Sequence, residues 1–105
     1  MIKPLPQCLK EISEFPEDVK GELADALARL DEGHFLSMPL SRPMPSIGKS
    51  VHELRFRDRA GIYRIIYVLI GTGNIYLLHA FIKKTSKTSQ PNIDLAKKRL
   101  KEIGR

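Results

Sequence analysis

The sequence predicts an α+β domain: two N-terminal helices, an antiparallel sheet, and a basic C-terminal helix. Three observations predict it. Apolar residues recur at three- and four-residue steps from Val19 to Leu30. Two strand-like runs, Ile62 to Ile70 and Ile75 to Ile82, flank a Gly71-Thr72-Gly73-Asn74 turn. A second helical stripe follows Pro91 and is crowded with lysine and arginine. At 105 residues the chain is expected to be one domain, 1–105, with a single core.

Met1 to Pro6 reads as a short edge strand, weakened by Pro4 and Pro6, which cannot donate to a ladder. Gln7 to Ser13 forms a short helix. The main helix opens near Pro16, with Glu17 and Asp18 facing the positive end of its dipole. Val19, Leu23, Ala26, Leu27 and Leu30 make its apolar stripe, and Gly33 ends it in a left-handed cap. Residues 37–50 hold three prolines, a glycine and four serines and read as a loop, long for so small a domain.

Val51 to Arg57 alternates, with Val51, Glu53, Arg55 and Arg57 on one face and His52, Leu54 and Phe56 on the other. Asp58 to Gly61 turns the chain into Ile62–Ile70, apolar on both faces like a central strand. Ile75 to Ile82 completes a three-stranded meander, on which His79 is expected to share a face with Ile75, Leu77 and Phe81. Thr85 to Gln90 is polar linker. In the last helix Ile93, Ala96, Leu100 and Ile103 share a face, and Lys97, Lys98, Arg99 and Lys101 crowd the rest.

The net charge is +6, unevenly spread. Residues 1–50 hold six Lys/Arg and eight Asp/Glu, whereas residues 51–105 hold twelve and four. Segregation of that kind points to a polyanionic partner approached from one side. No apolar run reaches the roughly 20 residues that span a bilayer, so no membrane partner is expected. The N-terminal MIKPLPQCLKE lacks an apolar signal core and Cys8 is alone, which fits a cytoplasmic protein. No Cys/His cluster, glycine-rich phosphate loop or metallohydrolase spacing is present, so neither metal nor cofactor is expected.

Arg64 lies among Ile62, Ile66 and Val68 on one face of a central strand, where it must be paired or reach a groove. It has two readings: a salt bridge to Glu53, or a phosphate contact shared with Arg55 and Arg57. Lys83 and Lys84 end the next strand and extend the same cationic character. His79 reads first as a hydrogen-bonded core histidine and second as a general acid or base. Tyr63, Tyr67 and Tyr76 pack in or against the sheet, or one of them stacks on a base.

The order FPEDVK, helix, Pro/Gly loop, HELRFRDRAGIYRIIYV, then LLHAFIKKTSKT and a helix with AKKRLKEI resembles the RelE/ParE toxin superfamily. More narrowly it resembles the phage-derived, HigB-like branch of type II toxin–antitoxin systems, over nearly the whole chain from about residue 10. The resemblance implies a RelE-like fold with a curved antiparallel sheet and a cytoplasmic protein. Its implied partner is a cognate antitoxin, commonly a helix-turn-helix protein. Many members are mRNA interferases that cut messenger RNA on the ribosome without metal, the ribose 2′-oxygen attacking the adjacent phosphate. By the same likeness Arg64 and Lys83 or Lys84 are candidate catalytic residues and Arg55 a candidate RNA contact; on the residues alone His79 is a further catalytic candidate, and Arg57, Lys87 and Lys98 are further candidate RNA contacts. Lys83 and Lys84 are not distinguished. One departure stands out: after Tyr76 there is no tyrosine, and His79 and Asp94 are the only comparable groups for proton transfer. Two other functions share these features: a ParE-like gyrase poison that binds without cleaving RNA, and a nucleic-acid-binding module without activity.

Overall fold

The computed structural model describes residues 1–85 and 87–104; Ser86, in the predicted linker, and Arg105 lie outside the described residues. Its elements are β1 (Ile2–Pro4), α1 (Pro6–Ser13), α2 (Glu17–Asp31), β2 (Ser41–Pro43), β3 (Val51–Asp58), β4 (Gly61–Ile70), β5 (Asn74–Lys83) and α3 (Gln90–Glu102). Three helices and a five-stranded sheet make the α+β class that periodicity predicts. The sheet order is β1-β5-β4-β3-β2, so the expected meander is its centre. Two corrections apply. β1 runs parallel to β5, so the sheet is not wholly antiparallel. And the 37–50 loop contributes the short strand β2, paired with β3 through Ser41↔Leu54, Arg42↔Glu53 and Pro43↔His52.

The helices occupy both faces. Against α1 and α2, the face bearing Leu54, Phe56, Tyr63, Ile65, Tyr67 and Leu77 buries Cys8, Val19, Leu23, Ala26 and Leu30. Against α3 and the 44–47 turn, the opposite face bearing Val51, Ile66, Val68 and Leu78 buries Met44, Ile47, Ala96 and Leu100. β4 is therefore covered on both sides, which is why residues 62–68 are all buried and why its sequence is apolar without alternation. Burial pushes the Cys8 thiol up to about 12, so it acts as a small apolar core group. No helix among the described residues is long and apolar enough to cross a membrane.

A register shift between β4 and β5 changes one expectation. Ile66 pairs with His79 and Tyr67 with Leu77, leaving Leu78 as an extra residue. The bulge breaks the alternation, so His79 leaves the face of Ile75 and Leu77 and joins the α3 side with Phe81. Period-2 counting through 75–81 cannot detect an inserted residue.

Candidate functional site: a cationic sheet face

Residues opposite one another in an antiparallel ladder share a face. Register places Arg55 opposite Arg64 and Arg64 opposite Phe81. The next row is Arg57, Ile62 and Lys83, and the row on the other side is Arg42, Glu53, Ile66 and His79. Arg42, Arg55, Arg57, Arg64 and Lys83 thus stand on one face around Glu53. They occupy the end of the sheet beyond the apolar cover of α3. The β3–β4 turn keeps that end tight: Asp58 Oδ1 accepts from the Ala60 N–H at 2.8 Å. Gly61 follows with φ +149°, and a Cβ there would sit 2.8 Å from the Lys83 carbonyl oxygen. Only glycine lets the end of β5 approach so closely.

Glu53 is fully buried and holds the cluster together. Arg55 Nε–H donates to its Oε1 at 2.8 Å, and the Thr88 hydroxyl donates to its Oε2 at 2.7 Å. Arg64 is also fully buried, but it does not meet Glu53 directly. Its Nη1 donates to Thr88 Oγ1 at 3.1 Å and its Nη2 to the Thr85 carbonyl. The expected Glu53–Arg64 salt bridge is replaced by a hydroxyl relay through Thr88. Among the described residues Arg64 Nε has no hydrogen-bond partner. Burial pushes the Arg64 pKa down; Arg55, Arg42 and Arg57 push it the same way, against the pull of Glu53. The guanidinium stays cationic, in a place where positive charge is in excess.

The remaining predicted residues fall in different places. Lys83 is half-buried on the arginine face, whereas Lys84 is exposed beside Arg57 and Arg59 in a shallow hollow at the hairpin. Lys87, also exposed, shares a hollow with Arg42 and Thr88. Lys98 is exposed on α3 next to Asp94, Lys97 and Lys101, away from the arginine rows.

His79 belongs to a second cluster at the junction of α1, β5 and α3. Its Nε2 lies 2.7 Å from Asn92 Oδ1, and its Nδ1 lies 3.1 Å from Glu11 Oε1 and 3.3 Å from Arg99 Nη1. Arg99 clasps Glu11 with both terminal nitrogens, at 2.8 and 3.0 Å, and donates to the Leu78 carbonyl at 2.9 Å. Glu11 Oε1 also accepts the Ala80 N–H on the edge of β5. Burial alone would raise the Glu11 pKa; the Arg99 clasp, the Ala80 N–H and His79 together bring it below the usual carboxylate value. Arg99 was expected on the basic outer surface of α3 and is instead buried. A single arginine in a lysine-rich helix gives no periodic signal that it turns inward.

Three participants were not visible beforehand. Arg42 enters because β2 aligns it with Glu53, and a three-residue strand inside a proline-rich loop leaves little pattern. Thr88 sits in a polar stretch that reads as linker. Glu11 sits on a helix whose only evident task is packing. No group of three or more His, Cys, Asp or Glu able to hold a metal ion occurs among the described residues.

A family model described as phage-derived protein Gp49-like (DUF891) matches residues 10–101. No curated protein matches the chain.

Proposed function

The chain belongs to the phage-derived Gp49-like family, within the RelE/HigB-like toxin clan, and from that premise we propose that it is a type II toxin that cleaves messenger RNA on the ribosome. The observation that carries the proposal is the convergence of Arg42, Arg55, Arg57, Arg64 and Lys83 on one sheet face with a single carboxylate. In the proposed reaction the ribose 2′-oxygen attacks the adjacent phosphorus and the bond to the 5′-oxygen breaks, leaving a cyclic phosphate. One proton leaves the 2′-hydroxyl and one is delivered to the departing oxygen. Guanidinium groups suit the charge that grows on the phosphate, because they are permanently cationic and bind two oxygens at once. No metal is needed for this chemistry.

The roles follow from exposure. Arg57, Lys84 and Lys87 are exposed and meet the RNA backbone first. Arg55 and Arg64 lie deeper and take the scissile phosphate. For Arg64 this requires the Thr85 carbonyl and the Thr88 hydroxyl to release the guanidinium they hold. Lys83 shares the face and is our candidate to protonate the leaving oxygen; its register supports it over Lys84. His79 has both ring nitrogens engaged by Asn92, Glu11 and Arg99, and we assign it to the scaffold. Lys98 is assigned to peripheral contact with RNA or ribosome.

One observation favours a second reading. A completely covered Arg64 needs no rearrangement in a toxin that acts by binding through its other cations, such as a gyrase poison, whereas a nuclease must uncover it. Transcript 5′-end mapping after brief induction, with Arg64→Ala as control and its folding checked by thermal melt, separates the two. The nuclease reading expects new ends inside coding regions that vanish when translation initiation is blocked. It also expects a loss of about 10²–10³-fold in the variant. A folded Arg64→Ala protein that cleaves at the wild-type level would remove Arg64 from the site. Growth arrest with intact transcripts and broken DNA would replace the nuclease with a gyrase poison.

A further inference from the structure

A groove of about 510 Å³ runs between α2, the 38–42 segment and the outer end of β3. Its floor is apolar, made by Ala26, Leu40, Phe56 and Ile62. Its two long walls differ in sign. Glu22 and Asp25 project from α2, while Arg42, Arg55 and Arg57 stand opposite, with Arg29 at the α2 side. The same three arginines face the proposed RNA site, so the groove and that site share a wall.

Two further features mark the groove as open to a partner among the described residues. Met38 on its rim is 65% exposed, and Phe35, three residues earlier, is 91% exposed. Apolar side chains so fully in water mark interaction surfaces when they cluster. The edge of β3 also opens here: β2 pairs only with residues 52–54, and the last main-chain bond along that edge joins the Arg55 N–H to the Leu40 carbonyl at 2.9 Å. Alternation in the ladder turns the N–H and C=O of Arg57 outward, toward whatever lies in the groove.

We propose that this groove is the docking site of the antitoxin, which lays an extended segment of apolar residues flanked by carboxylates along the edge of β3. The proposal rests on the toxin reading above. An RNA strand fits the groove poorly, because Glu22 and Asp25 repel phosphate and the one aromatic ring in its floor, Phe56, is only 5% exposed and offers little surface for stacking. A peptide satisfies each part: apolar side chains cover the floor, main-chain groups pair with Arg57, and carboxylates meet Arg42, Arg55 and Arg57. Docking there withdraws three of the five cations from RNA, so neutralisation follows by direct competition.

The test is growth during co-production with the protein encoded beside this chain, for the wild type, Met38→Asp and Asp25→Trp. Both positions are exposed and neither belongs to the proposed catalytic face. The expected result is that both variants arrest growth like the wild type when alone, and need at least tenfold more partner for rescue. Rescue of both variants at the wild-type dose would overturn the proposal. Failure of the neighbouring protein to rescue even the wild type would instead reject the toxin–antitoxin reading beneath it. Intact rescue with lost RNA cleavage would assign the groove to RNA. Should a variant prove non-toxic alone, hydrogen exchange on the wild-type complex decides: slowed exchange at residues 38–42 and 55–58 supports the groove, and unchanged exchange there overturns it.

Discussion

Two carboxylates, Glu11 part-buried and Glu53 fully buried, organise the polar clusters, and they are treated in opposite ways. Glu11, where α1, β5 and α3 meet, receives both arms of Arg99, the Ala80 N–H and the edge of His79. Both terminal nitrogens of Arg99 and the Ala80 N–H find acceptors there. Glu53, fully buried, pairs with Arg55 near Arg42, Arg57 and Arg64, and among the described residues its hydrogen-bonded link to Arg64 runs through Thr88. One cluster pairs its carboxylate with one guanidinium through two hydrogen bonds. The other keeps cations in excess, lowers the Arg64 pKa and leaves Arg64 Nε without a partner among the described residues. A paired cluster holds helices together; on the proposed reading, one with cations in excess meets an anion.

The largest effect should come from breaking the paired cluster. Arg99→Ala leaves Glu11 part-buried without its bidentate partner, and the Leu78 carbonyl loses its side-chain donor. The expected cost is about 3–5 kcal/mol, read from urea denaturation midpoints at constant m. Arg57→Ala is the counterpart at the other end. It removes one exposed cation from a self-repelling group and should change stability by less than about 0.5 kcal/mol while weakening RNA contact. Equal costs for the two would erase the distinction between a structural and a functional cluster.

A smaller effect tests the relay. Thr88 is 4% exposed and is the only link seen between Glu53 and Arg64 among the described residues. Thr88→Val keeps the shape and removes the hydroxyl, so Glu53 Oε2 and Arg64 Nη1 each lose that partner. The expected loss is about 1–3 kcal/mol. RNA cleavage per folded molecule should fall with it, because the guanidinium is no longer aimed. Thr88→Ser should restore most of both. If valine lowers stability but leaves cleavage per folded molecule intact, Thr88 only packs and does not position Arg64.

How much of this was legible in the chain depends on whether a residue's role leaves a periodic trace. The alternation of Val51, Glu53, Arg55 and Arg57 placed these residues on one face of β3, though as an outward face, whereas Val51 and Glu53 are buried; the apolar run 62–68 marked a strand buried on both sides. Arg64 was readable as a buried cation because it interrupts that run. What it touches was not readable: Thr88 lies 24 residues away in a polar stretch, and long-range pairing has no local signature. The Leu78 bulge defeated counting along β5, which moved His79 to the other face and into contact with Glu11, 68 residues distant. Arg99 was hidden for the opposite reason, since one inward arginine among outward lysines looks like its neighbours. Sequence periodicity finds faces; partners across the sheet need the fold.

The smallest effect sharpens the comparison through pH. The Glu11 pKa is lower in the folded protein than its ordinary value of about 4.3, so folding favours the ionised form. A group shifted in that direction contributes stability that is fully present above the unfolded value and is lost as pH falls through the folded one. Denaturation midpoints should therefore be flat near neutrality and decline below about pH 4.5. Glu11→Gln removes the charge but keeps the shape, so it should be less stable than wild type at pH 7 and approach it as the pH falls. Arg64 contributes nothing to this slope, because a guanidinium remains protonated throughout the range. Acid thus loosens the paired cluster while leaving the cations of the other in place, and parallel wild-type and Glu11→Gln curves between pH 6 and pH 3 would show that Glu11 is not the group that ties stability to pH.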